Sequence, residues 1–248
     1  RHYIGDTLDI HGGGSDLIFP HHENEIAQSC CATGKPLANY WMHNGMLTVD
    51  NKKMSKSKNN FFLVRDIAKV YGYEPVRFME LQVHYRSQLN FTEEVIQSCK
   101  AALERLYNCK NLLEQTEKTA ADGDEIPDFP QKYKEQFITA MDDDLNTADG
   151  ISAVFELVRE SNIYANSDTA TKKGASAALA MLEELCGVLG LLYNKEDEVP
   201  DEVKALVSAR QEARKAKNFT LADEIRDKIT ALGFEIRETR QGTEIKKL

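Results

Sequence analysis

The sequence has 248 residues, of which 42% are hydrophobic, and its formal net charge is −9. This length allows two or three small domains with real cores, and no apolar run approaches the ~18 to 20 residues that cross a bilayer. The five cysteines are an odd number without a C-x-x-C pair, which favours neither a disulfide framework nor a cysteine-rich zinc ribbon. We therefore expect a cytoplasmic protein with no membrane partner, whose cysteines are reduced and packed as small hydrophobes.

The negative charge is concentrated in the middle of the chain. Lys plus Arg number 10 against 9 Asp plus Glu in residues 1–90, 10 against 22 in 91–200, and 11 against 9 in 201–248. This distribution is compatible with a polyanionic partner that contacts both ends while the acidic centre stays solvated.

Residues 1–90 alternate short apolar runs with glycine-rich turns. The segment Leu8–Ile10 leads into the HGGG of residues 11–14, and Met46–Val49 precedes the turn-like pair Asp50 and Asn51. This alternation predicts an α/β domain.

Residues 91–195 predict an antiparallel helical bundle. Thr92 is a suitable cap for a first long helix, and the polar, proline-containing segment 119–130 is typical of a loop. Apolar residues then recur at helical spacing, before Gly190 ends the last helix. The predicted core stripes are Val95, Cys99, Ala102, Leu106, Cys109 and Leu113; Ile151, Val154, Phe155 and Val158; and Leu179, Leu182, Leu185, Val188 and Leu189.

Residues 196–248 predict a separate small α+β module after a charged linker at 194–200. Helices are expected at about 201–217 and 220–232, the second ending at Gly233. Apolar runs at 234–237 and 244–246 flank Arg240–Gly242 as in a hairpin. The chain should thus be mostly α-helical overall.

The most specific motif is Lys53-Met54-Ser55-Lys56-Ser57, directly after the turn at 50–51. Lysine-rich stretches are usually solvated surface. The complete pentapeptide, however, resembles the KMSKS signature of class I aminoacyl-tRNA synthetases, whose second lysine, here Lys56, reaches the ATP phosphates. Mobile ammonium groups there would stabilise charge that develops on the departing pyrophosphate.

Two further segments carry candidate ligands. In HGGGSD, residues 11–16, the missing side chains would let a nucleotide approach the backbone and Asp16 could accept hydrogen bonds from ribose, although a tight turn explains the glycines equally. In PHHENE, residues 20–25, a helix beginning near Pro20 places His21 and Glu25 on one face. That spacing suits two zinc ligands, or else a pair of surface or capping residues.

Together, HGGGSD, FPHHENEIAQS, NYWMH, KMSKS and HYRSQLNF occur in the order found in cysteinyl-tRNA synthetases, and the chain resembles that family over nearly its whole length. Residues 137–147 resemble the opening of the family's bundle domain, and 217–227 with Gly242 and Thr243 resemble its anticodon-binding module. The resemblance implies a Rossmann-like catalytic half at 1–90, the bundle at 91–195 and the anticodon-binding module at 196–248.

The implied activity is that of a cysteine–tRNA ligase, which forms cysteinyl-adenylate from cysteine and ATP with Mg2+ and transfers it to the 3′ end of its tRNA. The family binds one Zn2+ per subunit through two cysteines, a histidine and a glutamate, and a thiolate substrate on zinc would explain selectivity against serine. His22 should support this site rather than ligate, and a monomer is expected. The implied residues are Lys53 and Lys56 for catalysis; His11, Gly13, Gly14, Asp16, Lys56 and Ser57 for ATP; and His21 and Glu25 for zinc.

Three departures qualify the resemblance. No His-x-Gly-His sequence occurs, the two zinc cysteines have no counterpart, and Gly242-Thr243-Glu244-Ile245 lacks the tryptophan that many members carry there. Cys30 and Cys31 are poor substitutes, because neighbours on a helix cannot both face His21 and Glu25. We therefore expect a C-terminal fragment that is inactive alone. A cysteine ligase acting on an amino sugar and a non-catalytic tRNA-binding fragment are the alternatives.

Overall fold

The computed structural model describes residues 2–54, 61–193, 201–215, 218–239 and 242–247. The predicted linker at 194–200, the turn residues Arg240 and Gln241, and Lys56 and Ser57 lie outside them. The chain divides into two compact units, Arg1–Tyr193 and Asn194–Leu248. Within the described residues, no helix is both long and apolar enough to span a membrane.

The first unit begins with a β-α-β arrangement. Strands β1 (Leu8–Gly14) and β2 (Ala38–Asn44) are parallel, and helix α1 (Glu23–Thr33) lies between them in sequence. A short 3-10 turn (Ser15–Leu17) and a kinked segment (Ile18–His22) connect β1 to α1. Helix α1 itself begins at Glu23, three residues after the predicted start at Pro20. The extended Phe19 (φ −133°, ψ 133°) separates the preceding 3-10 turn from this helical path.

A second small sheet has the strand order β4-β3-β5. Strands β3 (Leu47–Val49) and β4 (Lys52–Lys53) form an antiparallel hairpin, and β3 pairs in parallel with β5 (Leu89–Phe91). Helices α2 (Val64–Tyr71) and α3 (Tyr73–Leu81) lie between β3 and β5 in sequence. The hairpin turn has positive φ at both Asp50 (49°) and Asn51 (59°), as a two-residue turn of type I′ requires. The predicted α/β architecture is confirmed.

The predicted bundle is formed by α4 (Glu93–Thr119), α5 (Phe129–Asp142), α6 (Thr147–Ala165) and α7 (Lys172–Leu189). Thr92 caps α4 as predicted, since its Oγ1 accepts from the Val95 N–H at 3.2 Å. Val188 is 60% exposed, so its assignment to the core was wrong: it lies ~100° around α7 from Leu189, outside the buried stripe. The largest fully buried bundle residues are Ile96, Leu106, Leu113, Val154, Leu157, Leu182 and Leu185.

The cysteines follow the prediction only in part. Cys99, Cys109 and Cys186 are buried, and burial raises the pKa of Cys99 and Cys109 to about 11 and that of Cys186 to about 12. Cys30 and Cys31 are instead exposed on α1, because that helix buries none of its residues. They therefore do not act as small core hydrophobes.

A buried carboxylate fastens the last part of this unit. Glu74, at 1% exposed, accepts hydrogen bonds from the Leu192 N–H (2.6 Å) and the Tyr107 hydroxyl (2.8 Å). Gly190 ends α7 with a left-handed conformation (φ 64°) that turns the chain toward this carboxylate. One side chain on α3 thus holds both α4 and the segment after α7.

The second unit contains α8 (Asp201–Lys215), α9 (Phe219–Ala231) and an antiparallel hairpin of β6 (Phe234–Thr239) and β7 (Gly242–Lys247). The predicted two helices and hairpin are confirmed, with Gly233 between α9 and β6 at φ 86°. Gly242, expected in the turn, begins β7. The core residues are Val203, Val207, Ile225, Ile229 and Phe234.

Candidate active site

Imidazole and carboxylate side chains gather near the β1–α1–β2 connection. His11 lies on β1, Trp41 and His43 lie on β2, and the connection supplies His21, His22 and Glu25. In parallel sheets, ligands bind beyond the carboxyl ends of the strands. Here the register pairs His11 with Trp41 and Gly13 with His43, so residues 30 positions apart in sequence lie side by side.

Glu25 is held by two histidines. Its Oε2 lies 2.7 Å from His11 Nε2, a hydrogen bond, and its Oε1 lies 3.5 Å from His21 Nε2. The hydrogen bond from His11 is the main reason why the pKa of Glu25 falls below its ordinary value of 4.5. Glu25 is therefore an anion at neutral pH, and its Oε1, which is not engaged by His11, is available to a cation.

His22 is the buried centre of the cluster. It is 3% exposed, its Nδ1 lies 2.8 Å from His43 Nε2, and its ring lies 5.0 Å from that of His11 and 5.1 Å from that of Trp41. Burial, together with the neighbouring His11 and His43, lowers the pKa of His22 below 6.5. His22 is thus a neutral ring that supports its neighbours.

Packing accounts for Gly13, one of the two glycines predicted to contact ATP. A Cβ at Gly13 would lie 3.1 Å from His22 Cε1 and 2.9 Å from Leu17 Cδ1, and one at Gly14 would lie 2.5 Å from Asp16 Oδ1. Asp16 is exposed in the 3-10 turn. Gly13 thus admits the buried His22 ring close to the backbone, whereas the exposed Asp16 carboxylate could move away from a Cβ at Gly14.

Three side chains form a group that could hold a metal ion, since the ligand atoms of His11, His22 and Glu25 all lie within 4.8 Å of one another. Two ligands of a tetrahedral zinc lie about 3.3 Å apart, given metal–ligand distances of about 2.0–2.1 Å. The His21–Glu25 separation of 3.5 Å has that length, whereas the 2.7 Å contact of His11 is a hydrogen bond. The donor types and spacing fit a zinc ion held by His21 and Glu25, with His11 orienting the carboxylate.

The sequence reasoning missed His43 and Trp41 as members of the site. Trp41 lies 4.8 Å from the ring of His11 and stacks on His43 at 6.1 Å with an interplanar angle of 10°. Part of the signal was available, because a β-α-β pattern predicts that the strands carrying HGG and WMH are parallel neighbours. The register that joins them is not visible from local sequence.

Of the two predicted catalytic lysines, Lys53 lies on the β3–β4 hairpin. Lys53 is exposed on β4, where it pairs with Thr48 of β3. Lys56 and Ser57 fall outside the described residues.

Comparison with known proteins decides the family. Models of the tRNA synthetases class I (C) catalytic domain, the DALR domain and the cysteinyl-tRNA ligase anticodon binding domain match residues 1–101, 136–193 and 196–245, respectively. A cysteine–tRNA ligase of Symbiobacterium thermophilum is 51% identical over 98% of this chain and 53% of its own length. That of Caldicellulosiruptor saccharolyticus is 48% identical over 99% of this chain and 54% of its own length. This chain belongs to the cysteinyl-tRNA synthetase family.

The chain spans about half the length of the curated cysteine–tRNA ligases that it matches. Among solved structures, the LeuRS of Agrobacterium radiobacter, in a ternary complex with tRNA and LeuAMS, has a TM-score of 0.54 at 19% identity. The similarity covers 74% of this chain and 28% of that one, and it supports the fold alone.

Proposed function

We propose that the protein containing this chain is a cysteine–tRNA ligase, which activates cysteine with ATP and transfers it to the 3′ end of its tRNA. The observation that carries the proposal is the charged Glu25 between His11 and His21, in a chain 51% identical to a cysteine–tRNA ligase. Cysteine, ATP with Mg2+ and the tRNA for cysteine are the proposed partners.

We assign His21 and Glu25 to a zinc ion, with two further ligands supplied from outside this chain. Bound zinc would accept the thiolate of cysteine in preference to the harder hydroxyl of serine, which provides selectivity. Within the chain, the His11 hydrogen bond keeps Glu25 ionised and fixes which of its oxygens is available. The packing of His22 against His43 and Trp41 in turn holds His11 in place.

We assign the nucleotide to the adjoining glycine-rich segment and the KMSKS lysines. Gly13, Gly14 and His11 line the end of β1, and Asp16 offers a carboxylate suited to ribose hydroxyls. Lys53, with Lys56 and Ser57, would contact the phosphates. Adenylate formation requires no covalent protein intermediate, so these groups act by positioning ATP and by stabilising negative charge on pyrophosphate.

The proposal is tested with the full-length protein by cysteine-dependent exchange of pyrophosphate into ATP, followed by aminoacylation of tRNA. Cysteine should support exchange, whereas serine and alanine should support less than about one hundredth of that rate. Replacement of tRNA by an amino sugar tests the alternative acceptor. Absence of exchange with zinc supplied, or ligation to the amino sugar alone, would contradict the proposal.

Two matched variants separate the zinc ligand from its neighbour. His21→Ala should abolish stoichiometric zinc in the full-length protein, measured by atomic absorption after gel filtration. His11→Ala should retain the metal but weaken its affinity about 10- to 100-fold, as loss of a group that orients a ligand does. If the two variants exchange these outcomes, His11 is the ligand and His21 is not.

A further inference from the structure

Three polar side chains occupy one row across the sheet β4-β3-β5. Lys53 of β4 pairs with Thr48 of β3, and Thr48 pairs in parallel with Asn90 of β5. Directly paired residues on neighbouring strands project from the same face of a sheet. The row therefore connects Lys53 to β5 through the buried Thr48.

Asn90 contacts both the strand and the turn of the hairpin. Its Oδ1 accepts from the Asn51 N–H at 2.8 Å and from the Thr48 hydroxyl at 3.0 Å. A backbone N–H can only donate, so the Asn51 contact fixes the orientation of the Asn90 amide. A single oxygen thus bridges the middle of β3 and the turn that precedes β4.

The backbone of this turn is strained, so contacts from β5 stabilise it. Asp50 and Asn51 both adopt positive φ, which costs free energy for residues with a Cβ. Strand β4 has only two residues, and the Asp50 N–H bonds to the Phe91 carbonyl at 3.2 Å. The hairpin is therefore held largely from β5, by the side chain of Asn90 and the backbone of Phe91.

Gln88, two residues before Asn90, continues the same arrangement. Its Nε2 donates to Thr48 Oγ1 at 3.3 Å, while the Thr48 hydroxyl also approaches the Leu89 carbonyl at 3.3 Å. Gln88 immediately precedes β5 in the chain. Thr48 is consequently contacted by polar groups of β5 and of the residue before it, and Asn90 is the group that also reaches the turn.

We propose that Asn90 is a positioning residue for ATP activation, which fixes the hairpin and thereby sets the place of Lys53 relative to the nucleotide. The inference rests on the proposed function, in which Lys53 contacts the phosphates. Loss of the Asn90 oxygen should release the turn and shift Lys53, and it should leave the proposed zinc ligands His21 and Glu25 in place. A small misplacement of a positioning group can reduce rates about a hundredfold.

The test uses the full-length enzyme and the variants Asn90→Ala, Asn90→Asp and Thr48→Val. Asn90→Ala should lower kcat for cysteine-dependent pyrophosphate exchange about tenfold to about a hundredfold and raise KM for ATP, with KM for cysteine unchanged. Asn90→Asp retains the accepting oxygen and should restore most of the rate. Thr48→Val removes one donor to that oxygen and should share the defect in KM for ATP. Asn166→Ala, at an exposed helix end, is the control and should behave as the wild type.

Each outcome bears on the proposal. Thermal unfolding and active-site titration of adenylate measure the fraction of enzyme that is folded and active. If kcat falls only in proportion to that fraction, and KM for ATP is unchanged, the role of Asn90 is merely structural and the inference is overturned. Wild-type kinetics in Asn90→Ala would also overturn it while leaving the proposed function intact. If the wild type itself lacks exchange, both fail. If Asn90→Ala does not fold, the kinetics of Thr48→Val and Asn90→Asp decide.

Discussion

The β1–α1–β2 region and the bundle α4–α7 use apolar residues differently. The bundle buries residues such as Leu106 and Leu157 completely, whereas the strand region leaves Ile10, Phe19 and Tyr40 60%, 77% and 70% exposed. The strand region instead buries His22 in a network of polar and aromatic rings. The bundle is therefore organised for stability, and the strand region for the placement of chemical groups.

This difference predicts that substitutions in the two regions have different effects. Substitutions in the bundle should lower the free energy of unfolding and leave the activity per folded molecule unchanged. Substitutions in the histidine cluster should lower zinc binding and activity more than stability.

The largest effect on stability is expected from Leu157→Ala in α6. This side chain is fully buried, so its truncation removes apolar contacts and leaves a cavity, at a cost of about 2 to 5 kcal/mol. Urea unfolding followed by far-UV circular dichroism measures the change. The exposed Val188→Ala in α7 is the control and should stay within about 0.5 kcal/mol of wild type. Equal effects of the two variants would contradict the described core.

A buried polar side chain provides the next test, because Glu74 of α3 is 1% exposed and bonds to the bundle helix α4. Glu74→Ala leaves the Leu192 N–H and the Tyr107 hydroxyl without this acceptor, and each buried unsatisfied group costs about 1 to 3 kcal/mol. We expect a loss of about 2 to 4 kcal/mol in the same urea experiment. Tyr107→Phe removes one donor and should cost less. A Glu74→Ala variant as stable as wild type would show that these bonds are not needed.

A smaller effect is expected at the start of the bundle. Thr92→Ala removes the side-chain oxygen that accepts from the Val95 N–H and should lower stability by about 1 kcal/mol. Thr92→Ser keeps the oxygen and should recover most of the loss in thermal unfolding. If serine is no better than alanine, the cap does not contribute.

The smallest effect concerns a contact between the segment before β5 and the connection from α5 to α6. Arg86 Nε lies 2.5 Å from Asp144 Oδ2, and the Tyr85 hydroxyl donates to Oδ1 at 2.8 Å. The hydrogen bond from Arg86, followed by that from Tyr85, lowers the pKa of Asp144 below its ordinary 3.8. The carboxylate therefore stabilises the folded protein above pH 3.8, and this contribution is lost as the pH falls through the lowered pKa.

The pH dependence follows from that sign. The melting temperature of wild type should exceed that of Asp144→Asn slightly at pH 7, and the gap should close in acid. A gap that widens on acidification would contradict the assigned ionisation of Asp144.

The local sequence was sufficient to predict features that depend on residues close together in the chain. The Thr92 cap, the end of α7 at Gly190 and the i, i+4 relation of His21 to Glu25 all depend on residues within one or two turns. The kink at Phe19 and the exposure of Val188 show where local periodicity was insufficient. The pairs His11–Glu25 and His22–His43 depend on strand register and on the path between β1 and α1, which no local pattern encodes.

The central claim is that His21 and Glu25 hold a metal ion that selects cysteine by its sulfur. The most direct measurement is the near-ultraviolet absorption of the cobalt-substituted full-length protein during titration with cysteine and, separately, with serine. Cysteine should produce a sulfur-to-cobalt charge-transfer band that serine does not, and the band should be absent in His21→Ala. Identical spectra with both amino acids, or an unaltered band in His21→Ala, would contradict the claim.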